Sequence, residues 1–227
     1  KELFEGLKIM DLEKDWKAYP VIRLDMSRGG ANAETLRSYL NLRFGYYEEK
    51  YAITPDPTAE LADRFDAIIT TAYKQTGLKV AILIDEYDSP LQHSWKTPEH
   101  EACTEVYREV FAILKADDEY ERLVFITGIT KFTQISLFSV LNNLTNISFL
   151  PEYAAIFGIT EEEIGQNFKP ELERMAEVNG WTLQQTHDNL KDYYDGYHFS
   201  RRNMVDIYNP FSLLNALDTQ DLSCFWV

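Results

Sequence analysis

The sequence predicts an α/β fold: a parallel sheet with flanking helices, followed by a smaller, mainly helical part. Two strand-length runs and the spacing between them lead there. Val80-Ala81-Ile82-Leu83-Ile84 is unbroken apolar sequence that ends abruptly in Asp85-Glu86. Such a run without alternation fits a strand covered on both faces, at the centre of a parallel sheet. Leu123-Val124-Phe125-Ile126 repeats the pattern and ends at Thr127-Gly128. Helical periodicity fills the interval, and strand, helix, strand at this spacing is the signature of βαβ units.

In chain order, residues 1–19 read as a helix tail and a short amphipathic connection, closed by Pro20. Val21-Ile22-Arg23-Leu24-Asp25-Met26-Ser27 is a strand running into the Gly29-Gly30 turn. Asn32 caps a helix in which Leu36, Leu40, Phe44 and Tyr47 recur at helical spacing. Pro55 and Pro57 break the chain, and a second helix carries Leu61, Phe65, Ile68, Ile69, Ala72 and Tyr73 on one face before Gly77 stops it. The Val80 strand follows directly. Thr97-Pro98 opens another helix, threonine as cap and proline at the first helical position. Its buried stripe is Cys103, Val106, Tyr107, Val110, Phe111 and Leu114. After the Leu123 strand, Asn146-Ile147-Ser148-Phe149-Leu150 is a weaker candidate for a fourth.

The character changes near Gly158. Thr160-Glu161-Glu162-Glu163 is a capping box, and Pro170, Thr182 and Asn209-Pro210 each mark a helix start. The expected division is an α/β core over residues 1–157 and a helical subdomain over 158–227.

Composition narrows the function. A net charge of −15, from 37 acidic against 22 basic residues, argues against direct nucleic-acid binding by this segment and against an anionic membrane surface. No stretch has the length of a membrane span. Cys103 and Cys224 lack metal-ligand spacing, the usage of a reducing cytoplasm, which is the expected location. The four histidines show no ligand spacing either, and Tyr193, Tyr194 and Tyr197 read as packing.

The chemistry sits at the strand ends. Open α/β sheets bind ligands in the crevice beyond the C-terminal tips of their strands. An apolar strand followed by Asp-Glu is the pattern of a Walker B motif: Asp85 to hold Mg²⁺, largely through its coordinated water, and Glu86 to orient or deprotonate the attacking water. In P-loop NTPases with an inserted strand, the neighbouring strand ends in a polar residue that senses the γ-phosphate. Thr127 is the candidate, with Thr130 and Lys131 close behind as nucleotide-binding candidates. A strand-end threonine bonded to its own turn is the competing reading of Thr127. Asp88 reads as the cap of the turn before Pro90, and Asp25 as a turn residue before Gly29.

Several blocks together resemble the bacterial AAA-ATPase-like family. They are Leu3-Phe4-Glu5-Gly6-Leu7, Tyr19-Pro20-Val21-Ile22, Ile84-Asp85-Glu86-Tyr87-Asp88-Ser89-Pro90-Leu91 and Phe125-Ile126-Thr127-Gly128-Ile129-Thr130-Lys131-Phe132. Downstream lie Leu141-Asn142-Asn143-Leu144-Thr145, Tyr194-Asp195-Gly196-Tyr197-His198-Phe199 and Tyr208-Asn209-Pro210-Phe211-Ser212-Leu213-Leu214. The resemblance covers essentially the whole chain, in order. It implies a P-loop NTPase core followed by a helical lid, with ATP and Mg²⁺ as ligands, and in intact members a PD-(D/E)xK nuclease-like domain beyond. It also implies assembly with copies or protein partners, in which a neighbour supplies an arginine. Arg201 and Arg202 are lid candidates or a solvated pair.

One departure stands out. Intact members carry a Gly-Lys-Ser phosphate loop just before the segment matching Leu3-Phe4, and no G-x-x-x-x-G-K-[ST] run occurs in these 227 residues. The expectation is therefore an incomplete ATPase core lacking its first strand and Walker A loop, with ATP binding and hydrolysis confined to the full-length protein. Two other readings stay open. One is a non-hydrolysing scaffold of ATPase shape, serving protein interaction. The other, weaker, is a metal-dependent phosphoesterase built on Asp25, Asp85, Glu86 and Asp88.

Overall fold

Pro20 ends an irregular lead-in, which includes helix α1 (Ile9–Leu12), and the chain enters strand β1 (Val21–Asp25). The computed structural model describes residues 1–129, 143–199 and 205–225. They fall into two units, Lys1–Leu144 and Thr145–Val227.

In the first unit, α2 (Ala33–Lys50) and α3 (Leu61–Thr76) lead from β1 to β2 (Val80–Asp85). Then α4 (Ser89–Ser94), α5 (His100–Phe111) and α6 (Ile113–Ala116) lead to β3 (Glu121–Ile126). The strands form a parallel sheet in the order β1-β2-β3. Asp25 pairs with Asp85 and Ile84 with Ile126, so all three strands deliver their C-terminal tips to one edge.

The helix sequences explain their positions. Asn32 and Thr35 close a capping box at the start of α2, and Gly77 ends α3 in the left-handed conformation that glycine adopts without strain. Leu36, Leu40 and Phe44 of α2, Phe65, Ile68 and Ile69 of α3, and Val106 and Val110 of α5 bury one face of the sheet, covering Ile22, Leu24, Ile82 and Ile84. Phe44 and Phe65 stack with centroids 5.2 Å apart. Beside them the Arg64 guanidinium forks onto buried Glu48 at 2.6 and 2.7 Å, joining α3 to α2. Helix α2 also closes the outer edge of β1. The Arg23 amide donates to the Tyr47 hydroxyl at 2.6 Å and the Asp25 amide to the Tyr39 hydroxyl at 2.9 Å. These are donors that an edge strand otherwise offers to any passing chain.

The second unit holds α7 (Glu161–Asn167), α8 (Lys169–Asn179), α9 (Leu183–Tyr194) and α10 (Pro210–Thr219) around Ile164, Met175, Leu190, Tyr208 and Leu213. Capping boxes at Thr160 and Thr182, and an asparagine cap at Asn209, start three of these helices. A two-residue antiparallel ribbon, β4 (Ile159–Thr160) with β5 (Ile207–Tyr208), runs beside them. Gly158 makes room for it, since a Cβ there would sit 2.4 Å from Ile207.

Three local expectations give way. The β2 strand is not covered on both faces: Val80, Ile82 and Ile84 are buried, while Ala81 and Leu83 are only partly so. The same face leaves Val21 and Leu123 41% and 51% exposed. Residues 146–150 form turns and no strand, because the Asn146 side chain accepts the Ser148 amide at 3.0 Å. Finally, α5 starts at His100. Thr97 instead holds the preceding turn, donating to the Ser94 carbonyl at 2.7 Å and accepting the Glu99 amide at 3.2 Å.

The edge of the sheet away from the strand tips gathers acid. Burial, and then the charge of neighbouring Asp66, raises the Asp117 carboxyl from 3.8 to about 7. Burial, and then Asp118 and Asp117, raises Glu121 from 4.5 to about 8. One buried oxygen of each has no hydrogen-bond partner among the described residues. Both groups titrate higher folded than unfolded, so the fold binds extra protons between about pH 4 and 8. Their stabilising contribution is complete below the unfolded pKa and is lost as pH rises through 7 to 8. Thermal unfolding should therefore shift to lower temperature as pH rises across this window. Asp117→Asn should raise the midpoint at pH 8 by about 2–4 °C, about 1 kcal/mol after solvent screening, and flatten the pH profile, as followed by circular dichroism.

Candidate functional site

Asp85 is the last residue of β2, and its carboxylate reaches toward both neighbouring strands. Thr127, just past β3, donates its hydroxyl to Asp85 Oδ1 at 2.6 Å. From β1, Arg23 Nη2 stands 3.5 Å from Oδ2. The backbone ladder continues past the strand ends and fixes this arrangement. The Thr127 amide donates to the Ile84 carbonyl at 2.8 Å, and the Tyr87 amide donates to the Thr127 carbonyl at 3.0 Å. The Asp85 side chain stays about half exposed.

Glu86 is exposed and adopts φ +49°, the left-handed region. That conformation costs a non-glycine residue about 1–2 kcal/mol. The next two residues show what holds it there. Tyr87 and Asp88 are both buried, so the chain must reverse within one residue of the strand tip. Tyr107 of α5 donates to the Tyr87 carbonyl at 2.6 Å.

Asp88 does not cap as expected. It holds the N-cap position of α4, yet its side chain makes no capping bond there. Its Oδ1 instead accepts the Ile129 amide at 3.3 Å, across from the loop after β3, and Oδ2 accepts the Gln92 side chain. Gly128 allows this crossing. A Cβ at that position would lie 2.5 Å from Asp88 Oδ1 and 2.6 Å from the Tyr87 ring. Asp25 takes the turn role, accepting the Ser27 amide at 3.3 Å and the Ser27 hydroxyl at 2.6 Å.

The structure thus brings Asp85 and Thr127 into contact and sets Glu86 beside them. Thr130 and Lys131 lie outside the described residues, as do Arg201 and Arg202. The four carboxylates of the phosphoesterase reading do not converge: Asp25 and Asp88 are engaged elsewhere, and no three His, Cys, Asp or Glu side chains come together as a metal site among the described residues. Sequence reasoning missed Arg23, Gly128 and Tyr107. The signal for Arg23 was present: a charged residue inside an apolar strand, two positions before Asp25 and so on the same face. Nothing in the sequence marked the hydroxyl of Tyr107 or the contact at Gly128.

The sequence model of a family described as Predicted AAA-ATPase matches residues 1–138, which carry all three strands and the Asp85–Thr127 contact. The chain belongs to the predicted AAA-ATPase family. The family description implies nucleotide binding. An uncharacterized protein from the vnfD 5′ region of Azotobacter chroococcum mcd 1 is 30% identical over 227 residues, covering 99% of this chain. The chain spans 41% of that relative's length. No solved structure matches. No helix among the described residues is long and apolar enough to cross a membrane.

The packing at Gly128 of this predicted AAA-ATPase leaves no room for a Cβ without a shift of its neighbours. Gly128→Ala should destabilise the fold by about 1–3 kcal/mol through overpacking against Tyr87 and Asp88. Urea unfolding would measure the loss. A midpoint within error of the wild type would show that the loop can relax without cost.

Proposed function

We propose that the strand tips of this predicted AAA-ATPase carry the hydrolytic half of a nucleotide site: Asp85 as the Walker B carboxylate, Glu86 as the residue that orients or deprotonates the attacking water, and Thr127 as the γ-phosphate sensor. The observation that carries the reading is the hydrogen bond from Thr127 to Asp85 at the mouth of adjacent parallel strands. It fits the family membership.

The residues fit a magnesium nucleotide. A single half-exposed carboxylate keeps lone pairs beyond those facing Thr127 and Arg23. Mg²⁺ characteristically takes only one or two protein carboxylates, with waters and substrate phosphates filling its octahedron. When bound, the ion neutralises charge developing on the transferred phosphoryl group. Glu86 projects into solvent from the strained turn, so its carboxylate is available to a water near the reacting phosphate. Thr127 has one hydroxyl hydrogen, and it is on Asp85. Reporting on a γ-phosphate requires that hydrogen to change acceptor, which makes the contact with Asp85 the resting state of the sensor. Thr130 and Lys131, three and four positions further along the sequence, are proposed as further nucleotide contacts. Residues 1–157 are proposed as the α/β core and 158–227 as the helical lid subdomain.

Holding the β- and γ-phosphates calls for a Gly-Lys-Ser loop, which these 227 residues do not contain. Turnover is accordingly proposed for the full-length protein and not for this segment alone. In the full-length protein, Glu86→Gln should leave Mg²⁺-dependent ATP binding intact and lower hydrolysis by about 100-fold or more. Asp85→Asn should lose the magnesium dependence of binding. A coupled phosphate-release assay and nucleotide titration read both. Undiminished turnover in Glu86→Gln would remove Glu86 from the mechanism, and tight ATP binding with no wild-type turnover would favour the scaffold reading.

A further inference from the structure

Three arginines line one cleft of about 180 Å³ on the β1 side of the sheet. Arg23 comes from β1, Arg28 from the turn after it and Arg43 from α2, with Tyr39 and Asp25 completing the wall. Asp85, Glu86 and Thr127 are not among the lining residues.

The charge balance of this cleft runs against that of the chain. Acidic residues outnumber basic ones 37 to 22, so a surface arginine has many carboxylates to choose from. Among the described residues, neither Arg28 nor Arg43 forms an ion pair. Arg23 has Asp85, at a loose 3.5 Å. The one acid in the wall, Asp25, directs Oδ1 to Ser27.

The arginines are also placed. Arg43 donates to the Arg23 carbonyl at 3.3 Å, and its guanidinium lies 5.3 and 5.6 Å from the ring centroids of Tyr46 and Tyr47. Tyr39 uses its hydroxyl oxygen to accept the Asp25 amide, which leaves its O–H as a donor. Burial raises the Tyr39 pKa, so that hydrogen is retained at neutral pH.

We propose that the Arg23–Arg28–Arg43 cleft is a binding site for a small phosphate-class oxyanion, either free inorganic phosphate or the phosphoryl group of a small phosphomonoester. Guanidinium forks match tetrahedral oxyanions with paired N–H donors, and Tyr39 adds a neutral one. The cleft volume suits a phosphoryl group with a small substituent. The acidic remainder of the chain opposes a polyanion, which would have to lie along repelling surface.

The test is calorimetric titration of the full-length protein with inorganic phosphate and, separately, with glycerol 3-phosphate at low ionic strength. The variants are Arg28→Gln and Arg28→Gln/Arg43→Gln, and the wild-type titration is repeated in saturating Mg²⁺-ATP. Arg28 is exposed, so its replacement leaves the fold intact. Saturable binding that weakens at least tenfold in Arg28→Gln, further in the double variant, and persists in saturating Mg²⁺-ATP supports the site and separates it from the proposed nucleotide site. The tighter of the two ligands identifies the source. No saturable wild-type binding, or binding unchanged by Arg28→Gln, overturns the proposal. Displacement of the bound anion by saturating Mg²⁺-ATP would return it to the nucleotide site and overturn the proposal equally.

Discussion

The burial of Tyr87 and Asp88 is the constraint on which the strand tips depend. A chain leaving β2 could fan out into solvent and let Asp85 and Glu86 wander. Here it turns back at once, and Tyr87 packs under the sheet against Gly128 while Tyr107 holds its carbonyl. Full burial of a large side chain is worth about 1.5–3 kcal/mol, enough to offset the left-handed backbone at Glu86. The strain thus falls on Glu86, whose side chain is exposed. The same packing sets the loop after β3, because the Asp88 carboxylate accepts the Ile129 amide and a Cβ at Gly128 would crowd Asp88 and Tyr87. Two segments far apart in sequence are locked together by one turn.

What the sequence made legible follows from which signals are local. The strands after Pro20 and Lys79, the capped helix from Asn32 and the Gly77 stop rest on neighbouring residues, and all appear. The position of Asp85 at a strand tip was legible for the same reason. Failures came where the deciding partner is distant or where two local rules compete. An apolar run such as Val80–Ile84 looks the same whether its second face is packed or half open, since apolar side chains are tolerated on both. The stretch at 146–150 alternates like a strand, but the Asn146 side chain captures a backbone amide first. Asp88 reads as a turn cap from its neighbours alone, because its partner at Ile129 arrives 41 residues later.

Arg23 connects the two regions of interest, and its energetics explain why it can serve either. It stands on β1 beside Asp85, with both side chains about half exposed. An exposed pair of that kind contributes only about 0–1 kcal/mol, since water screens the attraction and two side chains must be ordered to make it. The contact therefore neither fixes Arg23 nor saturates Asp85. A cation at Asp85 would repel the guanidinium, and an oxyanion in the cleft would attract it, so the two ligands would draw Arg23 in the same direction. On that account the weakness of the 3.5 Å contact matters more than its existence. A buried bidentate pair, such as Arg64 on Glu48, would be too costly to separate and would hold the strand edge in one state.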